Sequence, residues 1–274
     1  MKPSMIRPLD APPPVVPPVF AGERAAAMGA RGLGERNAGT ALTRSRYDRI
    51  APLYDLLEWG MELRSTRWRR ELWTRVVPGQ ILEVGVGTGK NLPFHPPEAE
   101  VAAVDLSPRM LERARRRALR LGSRARLELA DVQALPFPDA SFDTAVATFV
   151  FCLVSDALQG LRELRRVLKP GRQLLLLEHV LSERPLLRWL MRRLDPIPFH
   201  LWGAHLNRET VQTVQAAGFV RLDAEALSGD VVKRIVAFAP EGGAPAANAE
   251  AEPAGRPANR PIHESWSQPN GGVP

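Results

Sequence analysis

Between residues 80 and 239 the chain alternates short apolar segments of strand character with longer segments of helical character, and this rhythm constrains the fold more than any other feature. Strands are expected near 80–84 (QILEV), 101–105 (VAAVD), 125–129 (ARLEL), 142–148 (FDTAVAT), 172–178 (RQLLLLE), 219–226 (FVRLDAEA) and 231–238 (VVKRIVAF). Helices occupy most of the gaps. Ser107 before Pro108 predicts a capped start for PRMLERARRRALRL, which stops at Gly122. Ser155 is the expected cap of the next helix, DALQGLRELRRVL, with Pro170 and Gly171 as its stop. Strand, helix, strand repeated in this way requires a parallel sheet covered by helices on both faces. Only a short Ser-Gly-Asp turn (Ser228, Gly229, Asp230) lies between the last two strands, too short for a crossover, so that pair must run antiparallel. The expectation is an α/β fold of three layers around a seven-stranded, mostly parallel sheet with one antiparallel strand.

Proline marks the limits of this region. Of the 26 prolines, seven precede residue 41, seven lie from Pro240 onward, and twelve occupy everything between. Residues 1–40 and 240–274 lack apolar periodicity and are expected to be disordered tails around one domain at 41–239. Within that domain, 41–76 reads as N-terminal lid helices and 185–206 as a cap insertion.

Composition excludes several classes of protein. The single cysteine, Cys152, rules out a disulfide scaffold and any CxxC metal or redox site, and no metal site is expected. The longest apolar run, AVATFVFCLV at 145–154, is half the roughly 20 residues of a membrane-spanning helix. Proline interrupts the N-terminal stretch where a secretory signal would need a continuous apolar run, so a cytoplasmic location is expected, with a membrane surface as a peripheral contact. The net charge of +7 rests on 37 basic residues, of which only Lys2, Lys90, Lys169 and Lys233 are lysine. An arginine bias of this kind fits a GC-rich coding sequence as well as a polyanionic partner, and does not by itself indicate nucleic acid.

The chemistry concentrates in ILEVGVGTGKN at 81–91, where an apolar strand carrying Glu83 runs into Gly85, Gly87 and Gly89. Ligands of parallel sheets bind at the carboxyl ends of strands, and glycines there permit close backbone approach. Asp105 ends the second strand, 20 residues after Gly85, where a carboxylate can accept from both hydroxyls of a ribose. The spacing suits NAD and S-adenosylmethionine (SAM) alike. Lys90 stands where a dinucleotide turn needs its third glycine, and Glu83 would repel a phosphate but suits a cationic, amino-acid-bearing cofactor. Asp131, after the third strand, can accept from an adenine amino group.

These segments resemble the class I SAM-dependent methyltransferases. EVGVGTG, VDLSPRML, ADVQALPFPDASFDTAVAT and ELRRVLKPGRQLLLLEH match that superfamily's motifs in order, which implies a Rossmann-like sandwich and SAM as cofactor. YDRIAPLYD (47–55) is similar to the branch containing quinone C-methyltransferases and bacterial phosphatidylethanolamine N-methyltransferases. FVFCLVSD (149–156), LEHV and LDPIPFHLWGAHLNRETV resemble the thiol S-methyltransferases of animals, whose N-terminal membrane anchor has no counterpart in this sequence. The resemblance implies that Glu83, Gly85, Gly87 and Gly89 surround the methionyl part of SAM and that Asp105 binds ribose. It further implies that Leu106 and Met110 border the adenine, that Asp131 and Val132 read its edge, and that Thr148 and Phe149 lie beneath the sulfonium. Met110 reads first as a helix core residue, ahead of that role, and Thr148 also reads as a satisfied strand end.

Methyl transfer asks for alignment of the acceptor with the methyl carbon, and for a base only where the acceptor must lose a proton. His179, at the end of the fifth strand, is the first choice for that base, ahead of His200 and His205, with Tyr54 of the lid as a second catalytic candidate. Cys152, inside an apolar run, reads as a buried small residue. Tyr47 and Tyr54 flank the apolar lid, while PLLRWLMRRLDPIPFHLWGAHL (185–206) alternates Leu and Trp with arginine. That composition suits either a membrane interface or a cap buried against the sheet. The expected acceptor is a small lipophilic molecule, a thiol or phospholipid amine ahead of a quinone ring carbon, and neither protein nor nucleic acid. The alternatives are a nicotinamide-dependent oxidoreductase on the same sheet, or a non-catalytic SAM-binding or membrane-associated module.

Overall fold

The computed structural model describes residues 40–45, 48–49, 59–196 and 207–242. Almost all of both expected tails, the lid segment 50–58 with Tyr54, and the stretch 197–206 with His200 and His205 lie outside the described residues, as does Tyr47.

Helix α1 (Trp59–Trp73) leads into β1 (Gln80–Val84), which a 3-10 turn (Leu92–Phe94) links to β2 (Glu100–Asp105), followed by α2 (Pro108–Leu121) and β3 (Arg126–Leu129). The chain continues through β4 (Phe142–Thr148), α3 (Ala157–Val167), β5 (Leu168–His179), α4 (Pro185–Leu194) and α5 (Thr210–Ala216) to β6 (Val220–Ser228) and β7 (Val232–Phe238). Among the described residues the seven strands form one sheet in the order β3-β2-β1-β4-β5-β7-β6. β7 alone runs against its neighbours, pairing antiparallel with both β5 and β6, as the three-residue turn requires. The order reverses between β1 and β4, where Val84 sits beside Val104 on one side and Ala147 on the other. A crevice opens outside the carboxyl ends at such a switch point.

Alternation along each strand sends side chains to two separate cores. Leu82, Val84, Ala145, Ala147, Leu174 and Leu176 meet Leu161, Leu164 and Val167 of α3 on one face. Ile81, Val101, Ala103, Val146 and Leu175 meet Leu72 and Trp73 of α1 and Leu111 and Ala114 of α2 on the other. Because both faces are covered, β4 is buried along its whole length, Asp143, Thr144 and Thr148 included. Each large aliphatic side chain so buried contributes about 1.5–3 kcal/mol.

The α2 boundaries follow the sequence signals. Ser107 accepts from the Met110 N–H, Pro108 occupies the first turn, and Gly122 closes the helix at φ 63°. Two local expectations are corrected. The cap of α3 is Asp156, which accepts from Gln159 N–H, because the Ser155 hydroxyl is turned away to donate to Gln133 Oε1 at 2.9 Å. β5 begins at Leu168, before the Pro170-Gly171 turn, because Leu168 already pairs with Phe142; the turn becomes an irregularity inside the strand. At the end of the 41–76 segment, Leu72, Trp73 and Val76 are core residues under the sheet.

Candidate functional site

A cavity of about 930 Å³, including its open mouth, lies over the carboxyl ends of β1, β2 and β4. Its wall contains Gly85, Gly87, Asp105, Leu106, Met110, Asp131, Val132, Thr148 and Phe149, nine of the eleven positions read from the sequence for the cofactor. Glu83 and Gly89 are off the wall, and so is His179.

The three glycines all have positive φ but serve different ends. A Cβ on Gly85 would fall 2.4 Å from Val150 Cγ2, and one on Gly89 2.6 Å from Leu92 Cδ1 and 3.3 Å from Ala114 Cα. These two let the turn pack against the loop after β4 and against α2. At Gly87 nothing but the Gly85 carbonyl, at 4.0 Å, approaches the missing Cβ. That empty space belongs to the cavity, and it is where a ligand can lie against bare backbone.

Asp105 faces this backbone. Its Oδ2 accepts from Gly87 N–H and its Oδ1 from Ser107 N–H, each at 2.8 Å. Burial pushes its carboxyl up to about 6, while the two backbone donors pull it down. Second lone pairs on both oxygens remain for further donors, such as a pair of hydroxyls.

At one end of the cavity Gln133 organises a polar cluster. Its amide nitrogen donates to Thr40 Oγ1 at 2.9 Å and its backbone N–H to Asp131 Oδ1 at 2.9 Å. Its amide oxygen accepts from the Ser155 hydroxyl and the Asp156 N–H. This cluster ties the helical stretch at 40–45 to the loops after β3 and β4, and Asp48 joins it to α2 by accepting from the Ser107 hydroxyl at 2.6 Å. Met110 is 1% exposed, a core residue of α2, and also lines the cavity.

The other end is built on a buried network. Arg69 of α1 donates through Nη1 to Thr148 Oγ1 at 2.6 Å and to Asn91 Oδ1 at 3.0 Å. Asn91 Nδ2 donates to Glu83 Oε1 at 2.7 Å, and His95 Nε2 lies 2.7 Å from Glu83 Oε2. Both oxygens of Glu83 are therefore engaged by Asn91 and His95, one layer behind the cavity wall. Thr148 is saturated as a strand end and still faces the cavity.

Phe149 adopts φ 59°, a conformation that bulky residues rarely take. It is held there by a hydrogen bond from its N–H to Leu177 O at 2.7 Å and by the turn that follows, whose Val150 and Phe151 N–H groups donate to Glu178 Oε1. Burial pushes the Glu178 carboxyl up to about 7. The Phe149 ring contacts both Arg69, whose guanidinium carbon is 5.3 Å from its centroid, and His179, whose ring centroid is 4.6 Å away. His179 is off the cavity wall and in ring contact with Phe149. Cys152 is buried, with its sulfur 3.7 Å from the Phe149 carbonyl.

Sequence reading missed Arg69, Asn91, Gln133, Ser155 and Thr40. Arg69 had a visible signal: with Leu72 and Trp73, three and four residues on, it falls on the buried face of α1, a cation beside apolar residues.

Comparison with known proteins agrees with this geometry. Residues 81–171 match the methyltransferase domain family. The chain is 37% identical over 153 residues to the demethylmenaquinone methyltransferase of Deinococcus radiodurans, covering 53% of this chain and 64% of that protein, a little under two thirds of its length. It is 35% identical over 146 residues to a phosphatidylethanolamine N-methyltransferase of Cereibacter sphaeroides, covering 53% of this chain and 70% of that one. The fold matches a SAM-dependent methyltransferase from Thermotoga maritima at a TM-score of 0.57 and 21% identity, over 72% of this chain and 99% of the other. A sheet with this strand order, a glycine turn facing a strand-end carboxylate, and a relative matched over most of its length at that identity place the chain in one family: it belongs to the class I SAM-dependent methyltransferases.

Proposed function

We propose that the chain transfers the methyl group of SAM to a small lipophilic acceptor. The observation that carries this reading is the bare backbone at Gly87, open to the cavity and hydrogen-bonded to the one carboxylate, Asp105, placed to receive ribose hydroxyls. Bound SAM supplies an activated methyl group, so the work of the chain is to bind, orient and exclude water.

Asp105 accepts from the ribose, Leu106 and Met110 flank the adenine, and Asp131 with Val132 meets its edge. Gly85 and Gly87 lie along the methionyl part, above Thr148 and Phe149. Glu83 and Gly89 act one layer back, by holding Asn91 and by packing the turn on α2. Where the acceptor loses a proton, His179 takes it once Phe149 shifts, with Tyr54 as the alternative acceptor of that proton.

A thiol or a phospholipid amine stands ahead of a quinone ring carbon, on the resemblance of 149–156 and of 194–211. No helix among the described residues is long and apolar enough to cross a membrane. α4, however, buries none of its residues, which disfavours a cap packed on the sheet, and exposes Leu186, Trp189, Leu190 and Leu194 on one face beside Arg193. We read this face as a peripheral contact with an anionic membrane, from which a lipophilic acceptor would be drawn. Incubation with methyl-labelled SAM and fractionated cell extract tests the reaction. Label in a lipid or thiol fraction is expected; SAM binding with no label in any fraction would leave a binding module instead.

A further inference from the structure

Gln133 lies on the cavity wall, yet its side chain has nothing left to offer a ligand. The amide nitrogen carries two N–H groups. One donates to Thr40 Oγ1 at 2.9 Å, and the other straddles the Asp131 carboxylate, at 3.0 Å from Oδ1 and 3.1 Å from Oδ2. The two lone pairs of the amide oxygen take the Ser155 hydroxyl and the Asp156 N–H, each at 2.9 Å. All the donor and acceptor capacity of the amide is therefore spent on protein. A backbone N–H can only donate, so the Asp156 contact fixes the oxygen on that side and turns the nitrogen toward Asp131.

That orientation decides what Asp131 can accept. The Gln133 backbone N–H also donates to Oδ1, at 2.9 Å. Gln133 thus fills three of the roughly four acceptor positions of the carboxylate, and the one that remains is on Oδ2. A carboxylate oxygen with a single free lone pair at a cavity wall takes one donor and disfavours an acceptor. The amino group of adenine is such a donor; the exocyclic oxygen of hypoxanthine, in the same place, is an acceptor. Glutamate at position 133 would keep an oxygen for Ser155 and Asp156 but would set a second acceptor against Asp131.

We infer that Gln133 is a specificity-determining positioning residue: it restricts Asp131 to a single donor and so selects adenine over hypoxanthine as the base of the methyl donor. This rests on the SAM reading above and on Asp131 meeting the adenine edge. Because the same amide holds Thr40 and Ser155, base selection is built at the seam where the stretch 40–45 meets the loops after β3 and β4.

Calorimetric titration of the full chain with S-adenosylhomocysteine and with S-inosylhomocysteine, which carries hypoxanthine in place of adenine, tests the inference. The parent should bind S-adenosylhomocysteine at least about tenfold more tightly. In Gln133→Glu that preference should shrink to within about threefold, through weaker S-adenosylhomocysteine binding, with S-inosylhomocysteine bound no more weakly than by the parent. In an Asp131→Ala background the same substitution should change neither affinity by more than about twofold, since Gln133 acts through Asp131. Should Gln133→Glu fail to fold, Gln133→Met, which removes the amide without adding charge, must show the same loss of preference. Equal losses for both ligands, a preference that survives the substitution, or a further loss in the Asp131→Ala background would overturn the inference. A parent chain that binds both ligands alike would overturn the adenine reading of Asp131, and the inference with it, while leaving the SAM reading in place. One that binds neither would overturn the SAM reading itself.

Discussion

The backbone N–H of Gly87 donates to Asp105 Oδ2 at 2.8 Å, so the glycine turn after β1 and the acid that ends β2 form a single preassembled surface. A ligand on Asp105 necessarily lies against Gly87.

The glycines of the turn separate binding from folding. Gly87→Val places its side chain in open cavity, and the cost to the fold is the positive-φ strain of about 1–3 kcal/mol. The variant should fold, while its Kd for S-adenosylhomocysteine rises by roughly 100-fold or more, equivalent to about 3 kcal/mol. Gly85→Ala drives a Cβ into Val150 and should instead lower Tm markedly. Thermal melts beside calorimetry check the contrast; a Gly87→Val protein with parental affinity would contradict it.

Asp105 should make donor binding depend on pH. Burial lifts its carboxyl to about 6, and ribose hydroxyls donate to the ionised form. Affinity for S-adenosylhomocysteine is therefore flat above pH 6 and falls by about tenfold per unit below it. Asp105→Ala loses about 1.5–3 kcal/mol of binding and the pH slope together. Titrations between pH 5 and pH 8 read both.

Glu178 predicts the pH dependence of stability. Its carboxyl stands at about 7, raised by burial from an ordinary 4.5. Between those values the folded chain keeps a proton that the unfolded chain has released, so stability falls as pH rises through this window, by about 3 kcal/mol when complete. Glu178→Gln keeps an oxygen for the Val150 and Phe151 N–H groups. It should match the parent near pH 4.5 and exceed it by up to that amount at pH 8 in urea unfolding.

The exposed face of α4 should bind membranes. Leu186 is 78% and Trp189 62% exposed, and inserting each into an interface contributes about 1.5–3 kcal/mol at most. Cosedimentation with phosphatidylglycerol vesicles should fall about tenfold or more for Leu186→Asp combined with Trp189→Asp, and should weaken in high salt. Equal sedimentation of parent and variant would remove α4 from the account.

The sheet was legible because strands covered on both faces are rich in apolar residues, and β1 and β4 lie where QILEV and FDTAVAT place them. The α2 boundaries were legible because Ser107, Pro108 and Gly122 each do one local job. Ser155 misled because a hydroxyl ahead of a helix has several possible partners, and the distant Gln133 won the competition with the α3 cap. Strand position fixed the place of Glu83 near the glycine turn, but its bonds to Asn91 and His95, which follow it by 8 and 12 residues, had no local signal. Arg69 lay 79 residues from Thr148, and no local pattern joins them.

The central claim is that this cavity takes SAM. Isothermal titration of the full chain with SAM and, separately, with NADH tests it directly. The account predicts saturable one-site binding of SAM and no heat from NADH. Tight NADH binding without SAM heat would contradict it and assign the sheet to a nicotinamide cofactor.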